Sequence, residues 1–304
     1  MRVTPRGFRV APMIGVAIFI ATSAVGETTI QPLTPIIEGH SVGGVAIDLI
    51  GNLYVADFGE TVWKITPEGI RTEFATGLYG ASGNAIDGRG NLLQANCYGN
   101  SIVRISRTGQ AQEVVSEGLS CPVGLAIRPG SNELYVANCK ANNVSKVLPD
   151  GTVSIFATSA EFKCPNGLTF GNDGTLYVAN FRDNRILKVS PSGSVARFAA
   201  VSGKGLGHLC SKGDRLYVTA YGSHEVYEVA SGGTSRRVIG DGTQGLVNGT
   251  ADRARLSFPN GIACDPWTPR LYINEYLNES ATALPRRSIV RRIELDVGNK
   301  GTAH

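Results

Sequence analysis

The sequence predicts an all-β fold, a six-bladed β-propeller with four-stranded blades. Three observations predict it: a repeated strand motif, a high glycine content, and no sustained helical period beyond the first 26 residues. Glycine accounts for 38 of the 304 residues, about one in eight against a usual ~7%. Without a Gly-X-Y period this content excludes collagen and indicates many tight turns between short strands.

The repeated motif is a strand that typically reads Leu-Tyr-Val-Ala and ends in Asp or Asn. Its six copies lie 39, 42, 42, 40 and 55 residues apart and begin at Leu53, Leu92, Leu134, Leu176, Leu216 and Leu271. A glycine that opens an apolar run precedes each copy, and a further apolar segment follows it. Four strands in about 40 residues, repeated, are typical of propeller blades, which stack radially because one blade cannot bury both of its faces.

The sixth repeat has no fourth strand, since the chain ends at His304. A spare strand, residues 28–37, precedes the first repeat. We expect this strand to complete the last blade and close the ring, which removes exposed sheet edges. The predicted domains are therefore a signal peptide at residues 1–26 and a single propeller domain at residues 27–304.

Residues 1–26 have the pattern of a secretory signal peptide. Arg2, Arg6 and Arg9 precede an apolar run at residues 11–21, and small residues follow it. An uncleaved membrane anchor is the alternative, but the run is shorter than the about 20 residues that span a bilayer. We expect an exported protein, periplasmic or extracellular, with no membrane contact after cleavage.

Charge excludes one class of partner. The formal net charge is +4 from 29 basic and 25 acidic residues, and the first 26 residues hold three arginines and no acid, so 26 basic residues remain against 25 acidic ones. A net charge near +1 gives no electrostatic reason to expect nucleic acid as a partner.

Two segments carry a family resemblance: CPNGLTFGNDGTLYVANFRDNRILKVS at residues 164–190 and GDGTQGLVNGTADRARLSFPNGIACD at residues 240–265. They resemble NHL-repeat propellers and the related regucalcin/gluconolactonase superfamily, and the resemblance extends over nearly all of residues 40–295. It implies the propeller fold, but such propellers include binding scaffolds, hydrolases and lyases.

The resemblance also implies a metal site at the mouth of the channel. Regucalcin-like lactonases hold a divalent metal with a Glu, two Asn and an Asp that precede the inner-strand glycines, and such oxygen ligands suit calcium. The residues at this position here are Gly43, Ser82, Val123, Asn166, Leu206 and Asn260. Only Asn166 matches a family ligand, and Asn260 offers an amide from another blade. We therefore do not transfer the hydrolase activity, and calcium is expected only under the alternative function below.

Four of the six cysteines recur with the blade, two after second strands and two before the first strands that follow. The pairing that respects the repeat gives two disulfides, Cys97–Cys121 and Cys139–Cys164. Cys210 and Cys264 stand where other repeats have isoleucine, so we expect them to be buried small hydrophobic residues.

Two enlarged loops at repeat six, residues 240–258 and 275–289, open on the same face as Asn166 and Asn260. Loops of this kind either carry a ligand site or are tolerated insertions. Glu275 adjoins the second loop and is a candidate for binding or catalysis. Arg286 belongs to a basic cluster with Arg287, Arg291 and Arg292, which is either a solvated face or a contact for an anion.

Asn84 and His208 are the two polar residues at an otherwise apolar position just after the inner glycine. His208 is a candidate acid or base, and the alternative is a hydrogen-bonded lining of the channel. The predicted ligand-binding residues are Asn84, Asn166, Asn260, Glu275 and Arg286.

These observations favour a non-catalytic binding propeller that holds a polar small molecule, a glycan or a protein at the channel mouth. The alternative is a metal-dependent hydrolase of the lactonase type, or a lyase. Its displaced site would lie around Asn166, Asn260, His208 and Glu275.

Overall fold

The computed structural model describes residues 27–277 and 286–296 of the chain. Its strands form six antiparallel sheets whose inner strands contact one another in a closed ring. The predicted all-β, six-bladed propeller is therefore confirmed. The predicted signal peptide lies outside the described residues.

Five blades are each formed by four consecutive strands. Blade 1 contains β3 (Val45–Ile47), β4 (Leu53–Ala56), β5 (Val62–Ile65) and β6 (Arg71–Ala75). Blade 2 contains β7 (Ala81–Ile86), β8 (Leu92–Asn96), β9 (Ser101–Ile105) and β10 (Ala111–Val115). Blade 3 contains β11 (Pro122–Ile127), β12 (Leu134–Asn138), β13 (Asn143–Val147) and β14 (Val153–Thr158).

Blade 4 contains β15 (Pro165–Phe170), β16 (Leu176–Asn180), β17 (Arg185–Val189) and β18 (Val195–Ala200). Blade 5 contains β19 (Leu206–Lys212), β20 (Arg215–Ala220), β21 (Glu225–Val229) and β22 (Ser235–Ile239), with a 3-10 helix at Tyr221–Ser223. Within the described residues, no helix has both the length and the apolar character needed to cross a bilayer.

Blade 6 is completed by a strand from the start of the propeller domain, as predicted from the spare strand ahead of the first repeat. Its own strands are β24 (Pro259–Cys264), β25 (Arg270–Tyr276) and β26 (Arg287–Glu294), and β1 (Thr29–Pro32) pairs with β26 in antiparallel register. Two short strands extend this sheet: β2 (Ile37–Glu38) pairs with β26, and β23 (Gly249–Thr250) pairs with β1. The fourth strand of the last blade thus comes from the opposite end of the chain, which closes the ring.

The core is divided among the blade interfaces. Among the described residues, six clusters of buried apolar residues lie between neighbouring blades, including one between blades 6 and 1, and the cluster between blades 3 and 4 also includes Cys97 of blade 2. Leu53 and Ile65 of blade 1, for example, pack with Tyr272 and Val290 of blade 6. The stability of each blade therefore depends on both of its neighbours.

Three disulfides connect neighbouring blades. Cys97 pairs with Cys121 between blades 2 and 3, and Cys139 pairs with Cys164 between blades 3 and 4, as the repeat predicted. The interpretation of Cys210 and Cys264 as unpaired buried residues is wrong, because they form a third disulfide with Cα atoms 5.7 Å apart. They occupy the same position on adjacent inner strands, β19 and β24, and the ring places equivalent positions of neighbouring strands side by side.

Candidate functional site

A cavity of about 410 Å³ lies at one mouth of the channel. All six blades contribute to its lining, through residues that follow second strands or precede the glycines of inner strands. This is the face on which the sequence placed the candidate site. The volume falls within the range of small-molecule sites, about 300–1,000 Å³.

Four aromatic side chains line this cavity on opposite sides. Phe58 of blade 1 and Tyr98 of blade 2 contact each other edge to face, with ring centroids 5.5 Å apart. Phe181 of blade 4 and Tyr221 of blade 5 form a second pair with centroids 5.8 Å apart. Blades 1 and 4, like blades 2 and 5, face each other across a sixfold ring. The cavity therefore has two aromatic walls with the channel axis between them.

These aromatic residues are not among the site residues predicted from the sequence. Three of them, Phe58, Phe181 and Tyr221, come at the end of the repeated motif, in LYVADF, LYVANF and LYVTAY. Their backbone N–H groups donate to carbonyls at or just before the first residue of an inner strand, for example Phe181 to Cys164 over 2.9 Å. The signal that marks these three in the sequence is an aromatic residue at the last position of the repeated motif.

Part of the mouth has a strained backbone. Phe58, Cys121 and Cys164 line the cavity with φ values of 53°, 47° and 54°. This left-handed region costs a residue with a Cβ about 1–2 kcal/mol, and such residues cluster at binding and catalytic sites. Two of the three are held by disulfides, so covalent bonds keep the rim in this conformation.

Asn166 and Asn260, both predicted to bind a ligand, lie in the cavity wall. The amide nitrogen of Asn166 donates to the carbonyl of Leu206 over 3.3 Å. The amide nitrogen of Asn260 donates to the carbonyls of Val42 and Gly43 over 3.1 and 3.2 Å. Each NH₂ group thus donates to the backbone, and among the described residues no hydrogen bond reaches either side-chain carbonyl oxygen.

Arg286 also lines the cavity, whereas another member of its predicted cluster does not reach solvent. The Arg286 side chain is exposed, and no carboxylate among the described residues pairs with it. Arg291 is fully buried, so for this residue the interpretation as part of a solvated face is wrong. Arg286 precedes β26 and Arg287 is its exposed first residue, whereas Arg291 lies in the buried middle of the strand.

Glu275 is fully buried and is not part of the cavity lining. Both of its carboxylate oxygens accept hydrogen bonds from Nη1 of Arg291, over 3.1 and 3.2 Å. Burial raises the pKa of Glu275 to about 7, while the charge of Arg291 opposes this rise. Its placement gives no support to the predicted role in binding or catalysis.

His208 and Asn84 lie on inner strands and are likewise not in the lining. The amide of Asn84 donates to the carbonyl of Tyr54 over 3.1 Å. A Cβ built on Gly83 would stand 2.9 Å from Cε1 of His208. Since Gly83 belongs to blade 2 and His208 to blade 5, the imidazole extends across the channel.

We predict that His208 makes the fold sensitive to acid. Burial lowers the pKa of its imidazole to about 4, and Nε2 has no hydrogen-bond partner. The unfolded chain, with an ordinary pKa near 6.5, therefore takes up this proton first as the pH falls. The free energy of unfolding should decrease from about pH 6.5 downwards, and by about 3 kcal/mol in total below about pH 4.

Urea unfolding of the wild type and of His208→Leu near pH 7.5 and near pH 4.5 measures this contribution. We expect the wild type to lose about 2–3 kcal/mol more than the variant between the two conditions. Equal losses in the two proteins would show that His208 is not buried as a neutral side chain.

The metal implied by the family resemblance does not fit these residues. Of the four family ligand positions, three hold Gly43, Val123 and Leu206, which have no side-chain oxygen. Among residues 27–277 and 286–296, no three His, Cys, Asp or Glu side chains form a group that could hold a metal ion. Asn166 alone, without a carboxylate beside it, is a poor calcium site.

Comparison with known proteins agrees with the fold and with part of the sequence pattern. Residues 81–224 match the family model described as the SMP-30/gluconolactonase/LRE-like region. A comparison with curated protein sequences gives no significant match.

Several solved structures share the fold at low sequence identity. A gluconolactonase from Xanthomonas campestris is 17% identical, with a TM-score of 0.67 over 89% of this chain and 91% of that one. An auxiliary nutrient binding protein from Bacteroides thetaiotaomicron is 13% identical, with a TM-score of 0.73 over 88% and 76%. Virginiamycin B lyase from Staphylococcus aureus is 16% identical, with a TM-score of 0.62 over 88% and 100%. These similarities show the fold alone. The chain is thus a six-bladed β-propeller in which residues 81–224 match the gluconolactonase-like family model.

Proposed function

We propose that this protein is an exported, non-catalytic binding propeller that holds a polar ligand in its mouth cavity. One observation carries the proposal. The cavity has aromatic side chains on opposite walls and amide, hydroxyl and guanidinium groups between them, but no Asp, Glu or His in its described lining. Such a lining offers contact area and hydrogen bonds, whereas hydrolysis would need a base or a metal-bound water.

Two further observations support the proposal. Three disulfides are typical of proteins that fold outside the cytosol. The Bacteroides nutrient binding protein has the same fold, so a binding function is one that this architecture accommodates. The ligand is a small molecule, or a segment of a glycan or protein that enters a cavity of this size.

A ligand-observed NMR screen of neutral and charged sugars, amino acids and small aromatic acids tests this function. We expect hits on the wild type that weaken at least about tenfold in a Phe181→Ala/Tyr221→Ala variant, since each aromatic residue removes a large contact area. Trp267→Ala is the matched control, because Trp267 is an aromatic residue with 70% exposure in the turn between β24 and β25, at the opposite end of the blade. Hits that survive the double substitution, or no hits, would contradict the proposal.

The lactonase-like alternative is favoured by the family match over residues 81–224 and by Asn166 within it. Calcium distinguishes the two functions, since a metal that binds only the folded state raises the melting temperature. The binding propeller should show no rise with calcium chloride. A rise in the wild type that Asn166→Ala abolishes would support the enzyme.

A further inference from the structure

We infer that the mouth cavity selects an acidic, hydroxylated ring compound, such as a uronic acid unit, over its neutral counterpart. The inference rests on the binding function proposed above and specifies its ligand. Three properties of the lining formed by the described residues carry it: one guanidinium without a carboxylate partner among them, side-chain acceptors for hydroxyl groups, and aromatic walls on two sides.

The charge of the lining favours an anion. Arg286 is its charged residue, and among the described residues no carboxylate pairs with it. By contrast, Arg291 and Arg292 on the strand that follows, β26, pair with Glu275 and Glu294. A free guanidinium binds a carboxylate through two parallel N–H···O bonds. Because Arg286 is the one cation that the described residues contribute to the lining, the cavity suits a singly charged carboxylate better than a doubly charged phosphate.

The two amides favour a ligand that carries hydroxyl groups. The NH₂ groups of Asn166 and Asn260 already donate to backbone carbonyls. Their carbonyl oxygens are acceptors that no donor among the described residues reaches. Hydroxyl hydrogens of a ligand satisfy these acceptors, whereas a ligand with acceptors only would leave them unpaired.

The aromatic walls favour a ring. Phe58 and Tyr98 lie on one side of the cavity and Phe181 and Tyr221 on the other. A pyranose ring has apolar C–H faces and polar edges, so its faces can lie on aromatic side chains while its hydroxyl and carboxylate groups point at Asn166, Asn260 and Arg286. A linear hydroxy acid would present no such face.

Galacturonate and galacturonamide form a matched pair of probes, since they differ in the charge of one group. Calorimetric titration of the wild-type protein should give an affinity at least about tenfold higher for galacturonate, as expected for a charge-assisted hydrogen bond. In Arg286→Met this preference should disappear, with galacturonamide affinity unchanged. Arg253→Met is the control, because Arg253 is exposed and outside the lining, and it should keep the preference.

Each outcome bears on the inference separately from the proposed function. A preference that survives in Arg286→Met, or equal affinities in the wild type, would overturn recognition of the acid. If neither probe binds, the ligand class is wrong, while the NMR screen with Phe181→Ala/Tyr221→Ala still decides whether the cavity binds ligands at all. Digalacturonate then identifies the source within a confirmed class: tighter binding than the monomer indicates a glycan, and weaker binding indicates a free acid.

Discussion

Gly124→Ala is expected to destabilise the propeller by about 3 kcal/mol or more. A Cβ built on Gly124 in blade 3 would stand 1.8 Å from the backbone oxygen of Asn166 in blade 4. That oxygen cannot rotate away as a flexible side chain could, so the two inner strands would have to separate. For a domain of this size the loss corresponds to a fall in melting temperature of roughly 6 °C or more.

The same contact recurs around the ring, which explains the glycine that opens every repeat. A Cβ on Gly83 would stand 2.1 Å from the oxygen of Val123, and one on Gly207 would stand 2.6 Å from that of Asn260. At Gly44 the nearest atom, Cα of Gly83, is 2.7 Å away. Near the axis, neighbouring strands therefore pack backbone against backbone, and Gly44→Ala should cost less than Gly124→Ala.

Thermal unfolding of these variants beside Gly232→Ala tests the packing. Gly232 lies in a turn with no atom within 4 Å of a built Cβ and without a positive φ, so its substitution should change stability by at most about 0.5 kcal/mol. We expect the melting temperature to be highest for Gly232→Ala, lower for Gly44→Ala and lowest for Gly124→Ala. If Gly124→Ala and Gly232→Ala have the same melting temperature, the inner strands do not approach each other as closely as described.

The fold could be predicted because each propeller blade repeats its own sequence pattern. Two disulfides followed from the same pattern, since Cys97–Cys121 and Cys139–Cys164 repeat with the blade. The disulfide between Cys210 and Cys264 did not, because its partners are equivalent positions of two blades rather than successive positions along the chain. Predicting it requires knowing that such positions are neighbours in the ring.

The candidate site was predictable in part for a similar reason. Asn166, Asn260 and Arg286 lie in the cavity. They could be predicted because the inner-strand glycines and the last loop mark the mouth in the sequence. Phe58 and Phe181 were missed because a single aromatic residue after a strand means little until the ring brings opposite blades face to face. From the sequence, Glu275 and Arg291 are expected to be polar residues on an exposed loop face. Their burial could not be predicted because it depends on how residues 240–258 fold over them.

Removal of either partner of the Glu275–Arg291 ion pair is expected to cost about 3–5 kcal/mol, because the remaining charge would be buried without a counter-charge. Both side chains have 0% exposure. Nη2 of Arg291 also donates to the carbonyl of Val247 and to Oδ1 of Asn248, over 2.7 and 2.8 Å. The arginine thus joins β25 and β26 to the long loop at residues 240–258, and its loss should release that loop as well.

A double-mutant cycle with Glu275→Met and Arg291→Met measures this pair. Each single substitution should lower the free energy of urea unfolding by about 3–5 kcal/mol, and the double variant should lose less than the sum by at least about 1 kcal/mol. Glu294→Gln is the control on the same strand, since Glu294 is 32% exposed in its pair with Arg270 and should cost at most about 1 kcal/mol. Near-normal stability of Glu275→Met combined with lost ligand binding would instead return Glu275 to the functional site. Destabilisation of the size expected here identifies it as the residue that fixes the enlarged loop to the last blade.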